Sequence, residues 1–230
     1  MSDQVDNLAR ISRRICAAEA VRAKSAPPAH EVRLLAVSKT RSAAEIRALA
    51  AFGQRAFGEN YMQETVAKKT DLGDLALEWH LIGHLQSNKA REAAAAFDWV
   101  QSVDRIKLVA ELARHRPTDR SPLNVLVQVN IDDEASKHGC RPDELSELAE
   151  AIAAQPRLLL RGLMSIPAPD PDMQRRRTAF RALKDLFDEI RTRHQRIDTL
   201  SMGMSEDFEL AIAEGATMVR IGTALFGARS

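Results

Sequence analysis

Residues 34–41, LLAVSKTR, contain an apolar run of strand length that ends in Ser38 and Lys39. The lysine therefore stands where a buried strand would end and a loop begin. Desolvation at such a place favours the neutral, nucleophilic form of a lysine amine. The simpler interpretation is that Lys39 only begins a surface loop, because strand ends often carry charged side chains. The rest of the chain decides between these two interpretations.

The pattern of this stretch, an apolar strand followed by a helical segment, recurs along the whole chain. Continuous apolar strands joined by helices indicate parallel pairing, and eight such units predict a closed (β/α)8 TIM barrel, with an open doubly wound sheet as the alternative. No linker divides residues 1–230, so we expect a single domain, with an extra amphipathic helix over residues 3–24 before the first strand. Strands are predicted near 33–38, 55–58, 79–82, 99–102, 125–130, 158–163, 199–201 and 218–221. Further helices are predicted between Ser42 and Gly53 and near 60–70, 86–96, 104–116, 142–154, 172–195 and 206–214.

Composition narrows the class of protein. The chain has 230 residues, 45% apolar and 28% charged, which is typical of one α/β barrel, and a formal net charge of +1 that supports neither a nucleic-acid nor a membrane partner. Cys16 and Cys140 lie far apart, which argues against a disulfide framework and a zinc site. The polar N-terminus lacks a signal peptide pattern, so we expect a cytoplasmic protein.

In a TIM barrel, functional side chains lie at the carboxyl ends of the strands. The ends of the last two predicted strands, SMGMS at 201–205 and RIGT at 220–223, combine small residues and hydroxyls before helical segments, which is the pattern of a phosphate site. Alternatively these residues only cap helices, and Ser205 is expected to cap the helix near 206–214. A lysine facing a phosphate site predicts a Schiff base, either to pyridoxal phosphate (PLP) or to a phosphorylated carbonyl substrate.

Longer motifs carry a family resemblance. AVSKT, GENYMQE, WHLIGHLQSNK, VNIDDEASKHG, GLMSIP and LSMGMSEDFELAIAEGATMVRIGTALFG occur in this order between residues 34 and 227. Together they closely resemble the pyridoxal phosphate homeostasis protein family, and the chain is more distantly similar to the N-terminal barrel domain of alanine racemase, a fold type III protein. The resemblance implies that PLP is the cofactor and that Lys39 holds it as a Schiff base.

The resemblance also implies the other cofactor-binding residues. Arg220 is expected to face the pyridine nitrogen of the cofactor, the alternatives being an ion pair with a carboxylate or a contact with the phosphate. Many relatives have a second lysine two positions after the first, where this chain has Arg41, whose guanidinium cannot form a Schiff base. The expected cofactor contacts are Asn60 near the ring, Met164 and Ser165 along the wall, and Ser201, Gly203, Met204, Gly222 and Thr223 around the phosphate.

Two histidines, His80 and His84, invite a metal interpretation because they lie four residues apart in WHLIGH. The sequence shows no third ligand beside them, so we expect no metal site. We predict instead that His84 lies at the pocket mouth and that His80 is a core histidine with satisfied hydrogen bonds.

Catalysis and cofactor carriage are the two functions to separate. Racemisation needs acid and base groups on opposite faces of the substrate carbon. The racemase group takes one of them from a tyrosine on a separate C-terminal domain, which we expect this chain to lack, and its single tyrosine, Tyr61, lies in the GENY motif. The expected lack of the opposing base favours binding over catalysis, and the resemblance likewise implies a non-catalytic PLP carrier in vitamin B6 homeostasis, with apo-enzymes as candidate acceptors. An exposed N-terminal helix without a second domain is compatible with a monomer or a weak dimer. The alternatives are a fold type III enzyme such as an amino-acid racemase and, more weakly, a cofactor-free Schiff-base aldolase.

Overall fold

Eight parallel strands form a closed barrel in which each strand pairs with the next and β8 returns to β1. The computed structural model describes residues 2–23, 31–132, 138–167 and 170–227. The predicted (β/α)8 barrel is confirmed, and the open-sheet alternative is wrong. The strands are β1 (Arg33–Val37), β2 (Ala56–Glu59), β3 (Glu78–Leu81), β4 (Trp99–Val103), β5 (Leu123–Gln128), β6 (Leu158–Met164), β7 (Thr199–Ser201) and β8 (Met218–Ile221).

Helices alternate with these strands close to the predicted positions. The described helices are α1 (Ser2–Ala23), α2 (Ala43–Ala51), α3 (Met62–Asp71), α4 (Ala90–Ala96), α5 (Ile106–His115), α6 (Leu145–Ala153), α7 (Met173–Arg193), α8 (Phe208–Ala213) and α9 (Thr223–Phe226). Short 3-10 turns at Ser87–Lys89 and Pro142–Glu144 precede α4 and α6. The sequence does not predict α9, because a single helical turn is too short to show a period. Lys24, the last residue of the predicted first helix, lies outside the described residues.

Local sequence signals explain where α2 begins and ends. The Ser42 hydroxyl accepts the Glu45 N–H, and the Glu45 carboxylate accepts the Ser42 N–H at 2.8 Å, which together form the capping box. After the helix, Gly53 has a φ of 93°, a left-handed conformation that glycine adopts without strain. This helix directly follows Lys39, so its capping box fixes the chain on one side of the candidate site.

The first helix packs on the outside of the barrel. Leu8, Ile11 and Ile15 form its buried face, and the helix contacts α2, α8 and α9. At the edge of its contact with α8, Arg14 lies over the Phe208 ring and forms a two-pronged ion pair with Glu209. The first helix therefore packs against the helices that follow β7, β8 and β1.

The interior of the barrel differs from the main core between strands and helices. One small interior cluster contains Leu35 and Met218, and another contains Trp99 and Met164. Buried polar side chains join them: Gln101 Nε2 lies 3.2 Å from Met218 Sδ, and His80 stacks on Trp99. Barrel interiors are usually filled by branched apolar residues, so this polar seam is unusual.

Across the described ranges, no helix combines the length and the apolar composition that crossing a membrane requires.

Candidate functional site

A cavity of about 390 Å³ opens at the carboxyl end of the barrel, where the ends of β1, β2 and β8 meet the loops after β6 and β7. This volume falls in the range of about 300–1,000 Å³ that is common for small-molecule sites. The location is the one that TIM barrels use for function. The cavity is lined by Val37, Lys39, Asn60, Ile82, Ile166, Pro167, Arg176, Met204, Ser205, Glu206, Asp207, Arg220, Gly222 and Thr223.

The structure brings most of the predicted cofactor contacts to this cavity. Those that line it are Lys39, Asn60, Met204, Arg220, Gly222 and Thr223. The other four lie behind the lining, where Met164 packs in the cluster with Trp99, and Ser165, Ser201 and Gly203 bind Arg220 or support the loop after β7. Any effect of these four residues on a ligand would act through the residues that line the cavity.

Side chains of α3 bind the peptide groups on either side of Lys39 and so hold this residue in the cavity wall. Lys68, buried on α3, donates to the Ser38 carbonyl oxygen at 2.7 Å and also to the Glu59 and Glu64 carboxylates. The Ser38 hydroxyl donates to Glu59 at 2.6 Å. One buried lysine with two carboxylates therefore fixes the strand end that carries Lys39.

The next residue, Thr40, has a φ of 64° and is the one non-glycine residue in the described part of the chain with a positive φ. This left-handed conformation is strained for a β-branched residue. Its N–H donates to the Glu64 carboxylate, which holds the turn in place. Local strain of this kind is often found where a functional side chain must be aimed.

We expect Thr40→Gly to raise the free energy of unfolding by about 1 kcal/mol, because glycine adopts the left-handed conformation without strain. Part of this gain is offset because glycine increases the conformational entropy of the unfolded chain. Thr40 is exposed, so no packing is lost. Urea denaturation of the variant and of Thr70→Gly, an exposed threonine near the end of α3, measures the difference. The helical control should be destabilised. A Thr40→Gly variant that is also destabilised would show that the side chain, not the backbone, matters at this turn.

Arg220 lies at the back of the cavity and is almost completely buried. Its guanidinium donates to the Ser201 carbonyl oxygen at 2.8 Å, to the Ser201 hydroxyl at 2.9 Å and to the Ser165 carbonyl oxygen at 2.7 Å. All three acceptors are uncharged, and no carboxylate of the described residues lies at ion-pairing distance. Burial lowers the pKa of Arg220 to about 10, against the opposing effect of Asp207. The predicted ion-pair alternative is therefore wrong for the described residues, and a buried cation faces the cavity without a neutralising partner.

The start of α9 provides donors for an anion. Gly222 is the N-cap residue of this helix and Thr223 its first residue, and backbone N–H groups at such a start have no acceptor one turn earlier. The Ser205 hydroxyl accepts the Ala224 N–H at 3.3 Å, so Ser205 binds α9. The prediction that Ser205 caps α8 is wrong, because α8 begins at Phe208 with Asp207 at its N-cap position, and the Ser205 hydroxyl is bonded to α9 instead. The loop after β7 is thereby tied to the loop after β8.

Glycines let the backbone of the two mouth loops approach closely. A Cβ atom at Gly203 would lie 2.5 Å from the Ala211 Cβ, and the φ of Gly203 is 88°. A Cβ atom at Gly83 would lie 2.5 Å from the carbonyl oxygen of Asn60. Both glycines are needed for the loops that carry Met204 and Asn60 to reach the cavity.

The structure adds lining residues that the sequence did not predict. Arg176 lies in the basic run 175–177, which would ordinarily face solvent on a long helix. In the structure its side chain is largely buried and lies within 3.8 Å of Glu206 and 3.7 Å of Asp207. No sequence signal indicates this, because the three residues meet only when α7 folds against the loop after β7.

His80 and His84 have different surroundings. His80 is completely buried and bonded to Glu78 and Gln101, which confirms the predicted core histidine. His84 lines a second cavity of about 470 Å³, which shares Asn60 with the first and also contains Tyr61. His84 therefore lies at the mouth of the barrel, but it lines the second cavity and not the one that contains Lys39.

The fold also supplies neighbours of His84 that the sequence spacing did not reveal. His138 and Asp104 place one possible ligand atom each within 4.8 Å of His84. However, the two imidazoles stack with ring centres 3.7 Å apart, and Asp104 is ion-paired with Arg105 at 2.5 Å. Nearly parallel rings direct their lone pairs side by side, not toward one point, and the Asp104 charge is already neutralised.

Arg41 is directed away from the cavity. Its guanidinium donates to the Gly227 carbonyl oxygen at 2.5 Å, lies over the Phe226 ring and is 3.5 Å from Glu45. Arg41 therefore fastens the end of α9 to the start of α2. It does not line the cavity that contains Lys39.

The fold and this mouth site define the chain as a barrel of the alanine racemase N-terminal type, and the family model described as "Alanine racemase, N-terminal domain" matches residues 11–230. The pyridoxal phosphate homeostasis protein of Pseudomonas aeruginosa is 52% identical over 229 residues, covering 100% of this chain and 97% of the relative. That of Escherichia coli K12 is 51% identical over 232 residues, covering 100% and 98%. The chain therefore belongs to the pyridoxal phosphate homeostasis protein family. The structure of PipY from Synechococcus elongatus with PLP bound is also similar, with 39% identity, a TM-score of 0.78 and coverage of 91% of this chain and 99% of PipY.

Proposed function

We propose that this protein binds PLP covalently through Lys39 and serves in intracellular vitamin B6 homeostasis, without catalytic turnover. The observation that carries this proposal is a cavity that joins the Lys39 side chain to Arg220, a buried cation whose hydrogen-bond acceptors among the described residues are all uncharged. The names of the curated relatives and the PLP bound in PipY support the same ligand.

The residues present fit this cofactor. When bound, PLP supplies an aldehyde that condenses with an amine with loss of one water, an aromatic ring and an anionic phosphate. Lys39 would provide the amine, and Asn60 would lie near the ring. Gly222 and Thr223 would hold the phosphate at the start of α9, where backbone N–H groups have no acceptor one turn earlier, and Met204 and Ser205 would line the cavity beside it.

Arg220 would face the pyridine nitrogen. A guanidinium remains protonated under ordinary conditions, so it donates a hydrogen bond to that nitrogen and keeps it unprotonated. Ser165 and Ser201 would act on the ligand through Arg220, because both of them bind its guanidinium. An unprotonated ring is a weaker electron sink, which favours holding the cofactor over using it.

The charges around the cavity also favour carriage over racemisation. A racemase needs a second acid–base group opposite the lysine. Tyr61 lines the second cavity, and the lining carboxylates Glu206 and Asp207 lie within 4 Å of Arg176. These groups are poorly placed or already paired. A fold type III enzyme remains the competing function, and apo-enzymes would be the acceptors if the bound cofactor is passed on.

Exchange of the α-hydrogen in deuterium oxide separates these two functions. We expect PLP-loaded protein to exchange the α-hydrogens of L- and D-amino acids no faster than the same concentration of free PLP, because the carboxylates that line the cavity in the described part of the chain are already paired with Arg176. Loaded protein and the Lys39→Ala variant should be followed side by side by NMR. Exchange that is much faster than with free PLP and is lost in Lys39→Ala would establish the enzyme instead.

A further inference from the structure

A chain of hydrogen bonds crosses the interior of the barrel and ends at Arg220. Glu78, at the amino end of β3, accepts from His80 Nε2 at 2.7 Å, and His80 Nδ1 lies 2.9 Å from Gln101 Nε2. The Ser201 hydroxyl lies 2.8 Å from Gln101 Oε1 and 2.9 Å from the Arg220 guanidinium. His80, Gln101 and Ser201 are fully buried. Burying so many polar groups is unfavourable unless every one is bonded, so each link depends on the next.

The direction of each hydrogen bond follows from Glu78. Its bonds to His80 and Arg33 outweigh its burial and lower its pKa to about 2, so the carboxylate can only accept. His80 must therefore carry its proton on Nε2. Burial lowers the pKa of His80, so the ring is neutral and Nδ1 is an acceptor. Gln101 then has one possible orientation, with its NH₂ group toward His80 and its carbonyl oxygen toward Ser201.

The orientation of Gln101 in turn fixes the Ser201 hydroxyl. Its hydrogen is donated to Gln101 Oε1, which leaves an oxygen lone pair for the Arg220 guanidinium. If the amide were reversed, its oxygen would face the His80 lone pair, and the Ser201 oxygen would receive two donors while its own hydrogen had no acceptor along the chain. The position of the proton on His80, near the amino end of the barrel, therefore determines how the Ser201 hydroxyl is oriented beside Arg220 at the carboxyl end.

Arg220 is thus fixed on one side and available on the other. One terminal nitrogen is used by the Ser201 carbonyl and hydroxyl oxygens, and the other donates to Ser165. The guanidinium carries more N–H groups than these acceptors use, and Arg220 lines the cavity. The remaining N–H groups can serve a ligand only while the plane of the guanidinium keeps this orientation.

We propose that Gln101 and His80 are positioning residues that hold Arg220, through the Ser201 hydroxyl, in the orientation that meets the cofactor ring. This inference rests on the function proposed above for its ligand, but the relay itself is a property of the protein alone. It assigns a role to two mid-strand polar residues that touch neither the cavity nor the cofactor.

Gln101→Met tests the inference, since methionine has a similar length and no amide. We expect PLP affinity to fall about tenfold, the loss typical of one hydrogen bond to a charged group, and the visible absorption band of the bound cofactor to shift as its ring environment changes. Gln128→Met is the matched control, because Gln128 is a buried strand amide bonded to the His138 carbonyl and separate from Arg220. It should lose stability but keep the affinity and the band.

Ser201→Ala removes only one oxygen from the same relay and should give the same weakening and shift, so it serves if Gln101→Met folds poorly. A variant of Gln101 or Ser201 that folds and keeps wild-type affinity and band position would overturn the inference. Failure of the wild-type protein to bind PLP would instead contradict the proposed function.

Nitrogen NMR of the ligand-free protein gives a readout that does not depend on PLP. We expect His80 in the Nε2-protonated form and slow rotation about the guanidinium bonds of Arg220. Gln101→Met and Ser201→Ala should speed that rotation, whereas Gln128→Met should not. Equal rotation rates in all four proteins, or a His80 ring protonated on Nδ1, would rule out the relay.

Discussion

Lys39→Ala is expected to abolish covalent retention of PLP. The wild-type protein, incubated with PLP and passed through a desalting column, should keep a visible absorption band, whereas the variant should be colourless. The physical reason is that Lys39 carries the amine that lines the cavity, and the other lining cations, Arg176 and Arg220, are guanidiniums that cannot condense with an aldehyde. Absorption spectra after desalting, at equal protein concentrations, measure the difference.

Two controls sharpen this result. Lys39→Arg keeps the positive charge and much of the length but cannot condense, so it should be colourless as well. Lys89→Ala removes a half-buried lysine that lines the neighbouring cavity and should stay yellow. A Lys39→Ala protein that keeps the wild-type band would place the cofactor on another lysine.

Lys68→Met is expected to destabilise the protein by about 3–5 kcal/mol, the loss typical of breaking a buried ion pair from one side. Lys68 is buried and bonded to Glu59, Glu64 and the Ser38 carbonyl oxygen, so methionine leaves the fully buried Glu59 carboxylate without its cation. Urea denaturation of the ligand-free protein measures the loss. The matched control is Lys69→Met on the same helix, since Lys69 bonds to a backbone carbonyl of α4 and should lose only about 1 kcal/mol.

The defect of Lys68→Met should also depend on pH. Burial raises the pKa of Glu59 above its ordinary value, so the folded state binds more protons than the unfolded state in the window just above that value, and this contribution to stability falls as pH rises. Without Lys68 the pKa of Glu59 rises further, so the pH range over which the folded state binds the extra proton becomes wider. The variant should therefore lie closer to the wild type at pH 5 than at pH 8. A defect that is equal at both values, or no larger than that of Lys69→Met, would mean that the charge of Lys68 is unimportant.

The barrel itself could be predicted because short, largely apolar segments of strand length alternate with helical segments eight times along the chain. The predicted bounds of β7 and β8 match the structure, and the other strands differ by a few residues at their ends. Lys39, Gly222 and Thr223 could be predicted as mouth residues, since in a parallel barrel the carboxyl end of every strand faces the same opening.

The partners of the site residues could not be predicted in the same way. Arg220 is bonded by residues that follow β6 and end β7, and Ser201 depends on Gln101 from β4. These contacts join strands far apart in the chain, and a polar residue in mid-strand gives no sign of its acceptor. Arg176 was missed for the same reason, because an arginine inside a basic run reads as solvated until α7 packs on the mouth.

Borohydride reduction of the PLP-loaded wild-type protein, followed by peptide mass mapping, tests the central claim most directly. Reduction makes the bond between lysine and cofactor permanent, so the modified lysine can be read from the mass of one peptide. The account predicts a single major modified peptide, the one that contains Lys39. No modified peptide, or modification chiefly at another lysine, would contradict it.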